Sequence, residues 1–189
     1  MKKSFLKLAL VGALATSLAT AAGAQSQSIC CNQTYALCIA ATCALSANGE
    51  SALCACTVES GWSIGPTACA ERAPVQQTGF TTLVSTFSTA LYASDDFYQG
   101  SGKDADCYGK PCISFDGENA VCLCPVGNES HAYWTEGGSC GAPQSGMVYS
   151  GASSPFDAGL EGLAEQLAKC AGTTAPTPTA CGATAGAAH

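Results

Sequence analysis

Sulfur is the most conspicuous chemistry in this chain: 14 of its 189 residues are cysteine. Cysteine can close a structural cystine, exchange electrons as a dithiol, or hold a soft metal ion as thiolate. Most of the 14 fall into one spacing that occurs twice, Cys38-x4-Cys43-x10-Cys54-x-Cys56-x12-Cys69 and Cys107-x4-Cys112-x9-Cys122-x-Cys124-x15-Cys140. Outside it lie the adjacent pair Cys30-Cys31 and the late Cys170 and Cys181. Cys54-Ala-Cys56 and Cys122-Leu-Cys124 resemble vicinal dithiols, which suits a thiol-redox protein or a binder of copper or zinc. No C-x-x-C occurs, so the usual thioredoxin-like, c-type haem and zinc-ribbon spacings are missing. Met147 is the only methionine besides Met1, which is little soft-ligand support for copper. An even number of cysteines in an exported chain is expected to close as structural cystines, up to seven of them.

Other catalytic chemistry is sparse. The two histidines are His131 and the last residue, His189, and no G-x-S-x-G nucleophile motif accompanies them. Fourteen carboxylates offer many possible pairs, but no architecture that would build a cleft around one is visible. The chain is therefore expected not to be an enzyme, and it implies no cofactor. The residues best suited to a recognition surface are Trp62, His131, Tyr133 and Trp134, because aromatic rings on a cross-linked scaffold can stack on carbohydrate or anchor a protein partner. The opposing expectation is that each tryptophan caps a small core.

The elements that must position these residues begin with an export signal. Lys2, Lys3 and Lys7 precede an apolar run from Leu8 to about Leu18, and Ala22-Gly23-Ala24 presents small residues to a signal peptidase. Residues 1–24 are expected to be removed, leaving a periplasmic or secreted protein with no membrane insertion. The run is too short and too diluted by Gly12, Thr16 and Ser17 to read as a membrane anchor. Four basic side chains would then face 14 carboxylates, a formal charge of 4 − 14 = −10, which disfavours nucleic acid and anionic membranes as partners.

The duplicated spacing divides the rest into a cysteine-rich module over 25–100, a second over 101–172, and a Thr/Ala/Pro-rich tail over 173–189. Asn48-Gly49 and Asp116-Gly117 each sit between two cysteines and signal a β-hairpin, since tight hairpin turns need positive φ. A two-residue loop at Asn48-Gly49 puts Cys43 opposite Cys54. Residues two apart share one face of a strand, so the two sulfurs of each Cys-x-Cys can reach different partners. Both modules continue with a match, Trp62-Ser63-Ile64-Gly65 and Trp134-Thr135-Glu136-Gly137, and then with Phe80, Val84, Phe87, Leu91 spaced like Phe156, Leu160, Leu163, Leu167. That four, three, four spacing predicts an amphipathic helix in each module. Ser154, Pro155 and Gly172 supply start and stop signals for the second; Thr81, Thr82, Val84 and Thr86 would also suit a strand in the first. The expected fold is α+β: two tandem homologous modules, each a cross-linked β-hairpin plus an amphipathic helix.

With Cys31 included, the first unit reads Cys31-x6-Cys38-x4-Cys43-x10-Cys54-x-Cys56-x12-Cys69 and resembles an epidermal-growth-factor-like module over about 40 residues of each half. Cys122-Leu-Cys124-Pro125-Val-Gly127 resembles the stretch after the family's fourth cysteine. The resemblance implies Cys31–Cys43, Cys38–Cys54 and Cys56–Cys69, then Cys107–Cys122 and Cys124–Cys140, with Cys112 left for Cys30, Cys170 or Cys181. The family's calcium motif precedes neither unit. The hairpin turns themselves suggest another connectivity, Cys43–Cys54 and Cys112–Cys122, and the two are mutually exclusive. Amino-terminal sequencing of the exported protein is expected to start at Gln25; a start at Met1 would show that the leader is retained.

Overall fold

The computed structural model describes residues 28–39, 41–88, 97–127, 132–136, 143–153, 159–172 and 179–180. Its centre is a hairpin at each Gly-containing turn. The strands β2 (Thr42–Leu45) and β3 (Ser51–Gly65) pair with Cys43 opposite Cys54. The strands β8 (Pro111–Ser114) and β9 (Asn119–Pro125) pair with Cys112 opposite Cys122. Both loops are longer than the two-residue turn. Ser46 and Ser51 close the first, and Asp116 organises the second by accepting the Glu118 and Asn119 amides at 2.9 and 2.7 Å. Gly49 and Gly117 take positive φ (70° and 79°), which explains why glycine stands there.

The two hairpins join through β3 and β9, antiparallel with Cys54 facing Cys122, Leu53 facing Leu123 and Ala55 facing Val121. A half-turn about the Cys54/Cys122 pair carries one hairpin onto the other. The flanking hydrogen bonds obey the same half-turn, Val58 N–H to Glu118 O at 2.8 Å and Val126 N–H to Glu50 O at 3.0 Å. The main sheet runs β11 (Met147–Tyr149), β2, β3, β9, β8, β5 (Phe80–Val84), β4 (Val75–Gln77). The carboxyl half of β3 also holds β1 (Ile29–Leu37) and β6 (Phe87–Ser88). A second sheet contains β12 (Ala152–Ser153), β10 (Ala132–Glu136), β7 (Phe97–Ser101) and β13 (Thr179–Ala180).

The α+β expectation, with one amphipathic helix per module, is overturned: the described residues are mostly antiparallel β-sheet with a single α-helix among them. Where a first helix was expected, Val75–Gln77 and Phe80–Val84 form a hairpin with Gln77 opposite Phe80, turning at Thr78-Gly79 with Gly79 at φ 88°. The β-branched Thr81, Thr82 and Val84 prefer an extended backbone. Leu83, 2% exposed and opposite Cys112, needs only a period-two pattern to reach the core. Leu91 lies outside the described residues. In the second half the helix does form, α1 from Gly159 to Ala171, with Leu167 fully buried and Gly172 ending it at φ 69°. Ser154, Pro155 and Phe156 lie outside the described residues.

The second hairpin's turn carries its own pH signature. Asn119, through its side-chain and backbone N–H groups, and then the Glu118 amide hold the Asp116 carboxyl down from its ordinary 3.8 to about 2. A depressed folded pKa stabilises above the unfolded value and is lost as pH falls through the folded one. Wild type is therefore expected to lose stability relative to Asp116→Asn between about pH 4 and pH 2 in urea titrations; parallel curves for the two proteins would remove Asp116 as the cause.

Candidate functional site

The side chains of greatest chemical interest lie on the two faces of the β2-β3-β9-β8 sheet. One face is sulfur. Cys43–Cys54 and Cys112–Cys122 are cross-strand bridges within each hairpin, and Cys38–Cys56 and Cys107–Cys124 lock the segment before each hairpin onto the same strands. All eight sulfurs are buried, none of the residues more than 3% exposed. The expectation that each Cys-x-Cys sends its sulfurs to different partners follows from strand alternation and is what the bridges do.

The bridges also interlock across the half-turn: Cys38 Sγ lies 3.2 Å from Cys122 Sγ, and Cys107 Sγ 3.4 Å from Cys54 Sγ. Two sulfur trios result, Cys38/Cys56/Cys122 and Cys54/Cys107/Cys124, each within 4.8 Å. Such a trio has the composition of a soft-metal site, but cystine sulfur carries no thiolate charge, so the oxidised protein offers a metal ion little there. The core around them is built from small residues, Ala36, Ala41, Ala52, Ala105 and Ala120, with Leu83 and Val148 at its margins.

The remaining bridges tie the periphery. Cys30 and Cys31 are neighbours on β1 and so point to opposite faces; Cys30 reaches Cys170 on α1, and Cys31 reaches Cys69 at the start of the 3-10 turn Cys69–Arg72. The pairing implied by the growth-factor-like resemblance does not occur in either unit. The turn-based alternative does, because it needs only hairpin register. Cys140 and Cys181 lie outside the described residues, among which no cysteine is free.

Beside Cys31–Cys69, Arg72 is only 1% exposed. Its Nε donates to Thr67 O at 2.9 Å and its Nη2 to Ile29 O at 2.8 Å, while the guanidinium also meets Cys31 Sγ. Burial pulls its pKa below the ordinary arginine value, with Tyr108 opposing. Gly65 is required here, because a Cβ would collide with Nη1. Arg72 thus closes the entry of β1 onto the 3-10 turn. Tyr108 stacks on Phe87 with centroids 4.5 Å apart and shares a 2.5 Å hydrogen bond with Ser28; burial pushes its phenol up to about 12.

The aromatic recognition residues that are described fall on two sheets. Trp62 is half exposed on β3 opposite Asn32, on a strand and not in a loop. Tyr133 is 7% exposed, wedged against Gly100 and Gly151, where any Cβ would meet its ring. Trp134 occupies β10 between Gln99 and Ala152, and His131 lies outside the described residues.

The opposite face of the main sheet was not anticipated. Leu53 is 51% exposed, Leu123 63%, Val121 42%, Ile113 41%, Phe115 75% and Val75 55%. In register they form a row, Val75, Thr82, Ile113, Val121, Ala55, beside a second row, Leu123, Leu53, Ala44. The neighbouring outward positions on β2, β8 and β9 are Thr42, Pro111, Asn119 and Pro125, so among the described residues these stretches put no charged side chain on the face. No family model, curated protein or solved structure matches this chain. Geometry alone bears on its function. The outward signal was present in the sequence: once cysteines 54, 56, 122 and 124 point inward, the residues between and beside them must point outward.

Because the sulfur face stands where an aliphatic core would, deleting one bridge is costly. Cys112→Ala/Cys122→Ala is expected to lower unfolding free energy by about 2–4 kcal/mol in urea titrations; an unchanged midpoint would show that packing, not cross-linking, holds that hairpin.

Proposed function

We propose that the chain is an exported, non-catalytic binding protein whose bridges exist to hold a rigid sheet and present its outer face to a protein partner. The observation that carries this reading is the pairing of opposite faces on the same strands: eight buried cysteines on one side and an exposed apolar surface on the other. An exposed apolar patch of several strands is what an interaction surface looks like. A carbohydrate partner would stack on rings and hydrogen-bond to polar groups. Here Trp62 is an exposed ring for that purpose, while the broad face is aliphatic, which favours protein. Nucleic acid finds no cation on this face. Numerous disulfides suit a periplasmic or extracellular home, and no helix among the described residues is long and apolar enough to cross a membrane. No cofactor enters this reading.

A second reading, thiol redox or soft-metal binding, is favoured by the sulfur trios. It requires the central bridges to open under mild reductant, whereas thiol–disulfide exchange needs access for the attacking thiolate. Cys69 is exposed and the eight central cysteines are not. Alkylation and intact mass after incubation in a glutathione buffer near about −200 mV is expected to leave the four central bridges closed, with Cys31–Cys69 the first to open on stronger reduction. Selective opening of a Cys54 or Cys122 bridge with the fold retained would replace the scaffold reading by the thiol one.

A further inference from the structure

We infer that the occupant of the outer face is a second copy of this chain, packed sheet on sheet; this rests on the scaffold reading above. The partner's chemistry is set by the face. Its described outward positions on β2, β8 and β9 carry neither cation nor carboxylate, Glu59 being the next exposed position along β3 beyond Thr57, and its large side chains are chiefly aliphatic. A surface with the same property is available on every other copy. The chain carries a formal charge of −7, and its acidic groups Glu50, Asp116 and Glu118 sit at the hairpin ends, on the rim of the patch.

Symmetry points the same way. The half-turn about Cys54/Cys122 keeps the central part of the face aliphatic, with Leu53 taking the place of Val121 and Leu123 that of Ala55. Two such faces can oppose each other apolar side to apolar side, and a two-fold homodimer needs a patch that meets a copy of itself in this way. The area is sufficient. Strands β2 to β4 span about five spacings of 4.8 Å, and the outward rows run about 15–20 Å along them, so each copy offers a flat footprint of roughly 500 Å². A pair then buries on the order of 1,000 Å², where specific interfaces begin. Aligned sheets pack about 10 Å apart with inner side chains interdigitating, and the mixture of leucines with alanines provides the relief for that.

The test is sedimentation equilibrium of the full oxidised chain, wild type and Leu53→Lys/Leu123→Lys, at low and high salt. Both leucines are at least half exposed, so lysine is tolerated in the separate chain; equal bridge counts and circular dichroism confirm that. A dimer is expected whose dissociation constant falls as salt screens the acidic rims. The double lysine variant should weaken it by about a hundredfold or more. A wild type that stays monomeric at about 100 μM in high salt, a range reached by even weak transient interfaces, overturns the proposal and assigns the face to a different protein. A dimer indifferent to the lysines overturns it too, placing self-association elsewhere. Neither result touches the scaffold reading, which fails only if the central bridges open in the glutathione experiment.

Discussion

Everything in this protein depends on cystine replacing aliphatic side chains in the core. Among the described residues the buried cluster contains eight bridged cysteines and five alanines, with Leu83 and Val148 as its larger apolar members. A sheet with so little hydrocarbon behind it cannot rely on burial for register. The bridges supply register directly: Cys43–Cys54 and Cys112–Cys122 join residues facing each other across neighbouring strands, and Cys38–Cys56 and Cys107–Cys124 tie the segment before each hairpin to β3 and β9, so a one-residue slip of either strand would break a covalent bond or pull its sulfur to the wrong face. Cross-linking also restricts the unfolded chain, which is where most disulfide stabilisation is held to arise. The four bridges further restrain one another, since sulfurs of different bridges are in contact across the half-turn.

The periphery obeys a second constraint, imposed by Arg72. A guanidinium buried without a carboxylate among its hydrogen-bond partners is costly; here the Thr67 and Ile29 carbonyls accept from Nε and Nη2, while Nη1 has no partner among the described residues. Gln33 Nε2 returns a bond to Arg72 O at 3.0 Å. Together with Cys31–Cys69, these contacts fix β1 against the 3-10 turn, and β1 in turn delivers Cys30 to α1. The helix is tethered covalently at Cys170 near its carboxyl end, beside the buried Leu167 and Ala168.

Much of the centre was legible in the sequence because its signals are local. Asn48-Gly49 and Asp116-Gly117 mark the turns, and with a cysteine on each side the register follows, as Cys43 opposite Cys54 attests. What misled was a repeat argument extended too far. Phe80, Val84 and Phe87 share a spacing with a real helix, yet Thr78-Gly79 breaks them from what precedes and the threonines between them favour strand. Shared spacing is weaker evidence than a turn residue. The growth-factor-like pairing failed for a related reason: spacing alone does not determine connectivity, whereas a hairpin brings its two flanking cysteines face to face. The aromatic residues were legible as unusual but not as placed; Tyr133 is buried because Gly100 and Gly151 leave it room, a complementarity between residues far apart in sequence.

The two faces of the central sheet are also two answers to one question. On hydrophobicity alone, Leu53, Val121, Leu123 and Ile113 belong inside, each worth about 1.5–3 kcal/mol if fully buried. The period of two forbids both sets from sharing a face, and the bridges decide which set wins, because a cystine closed across neighbouring strands cannot be turned outward without turning the whole ladder. The leucines are therefore exposed by covalent constraint and not by preference. A fold made this way keeps unrealised burial energy on its surface after folding is complete, and that energy is available only to something that covers the face from outside. On the proposed scaffold reading, rigid bridges on one side are what make the other side available for association.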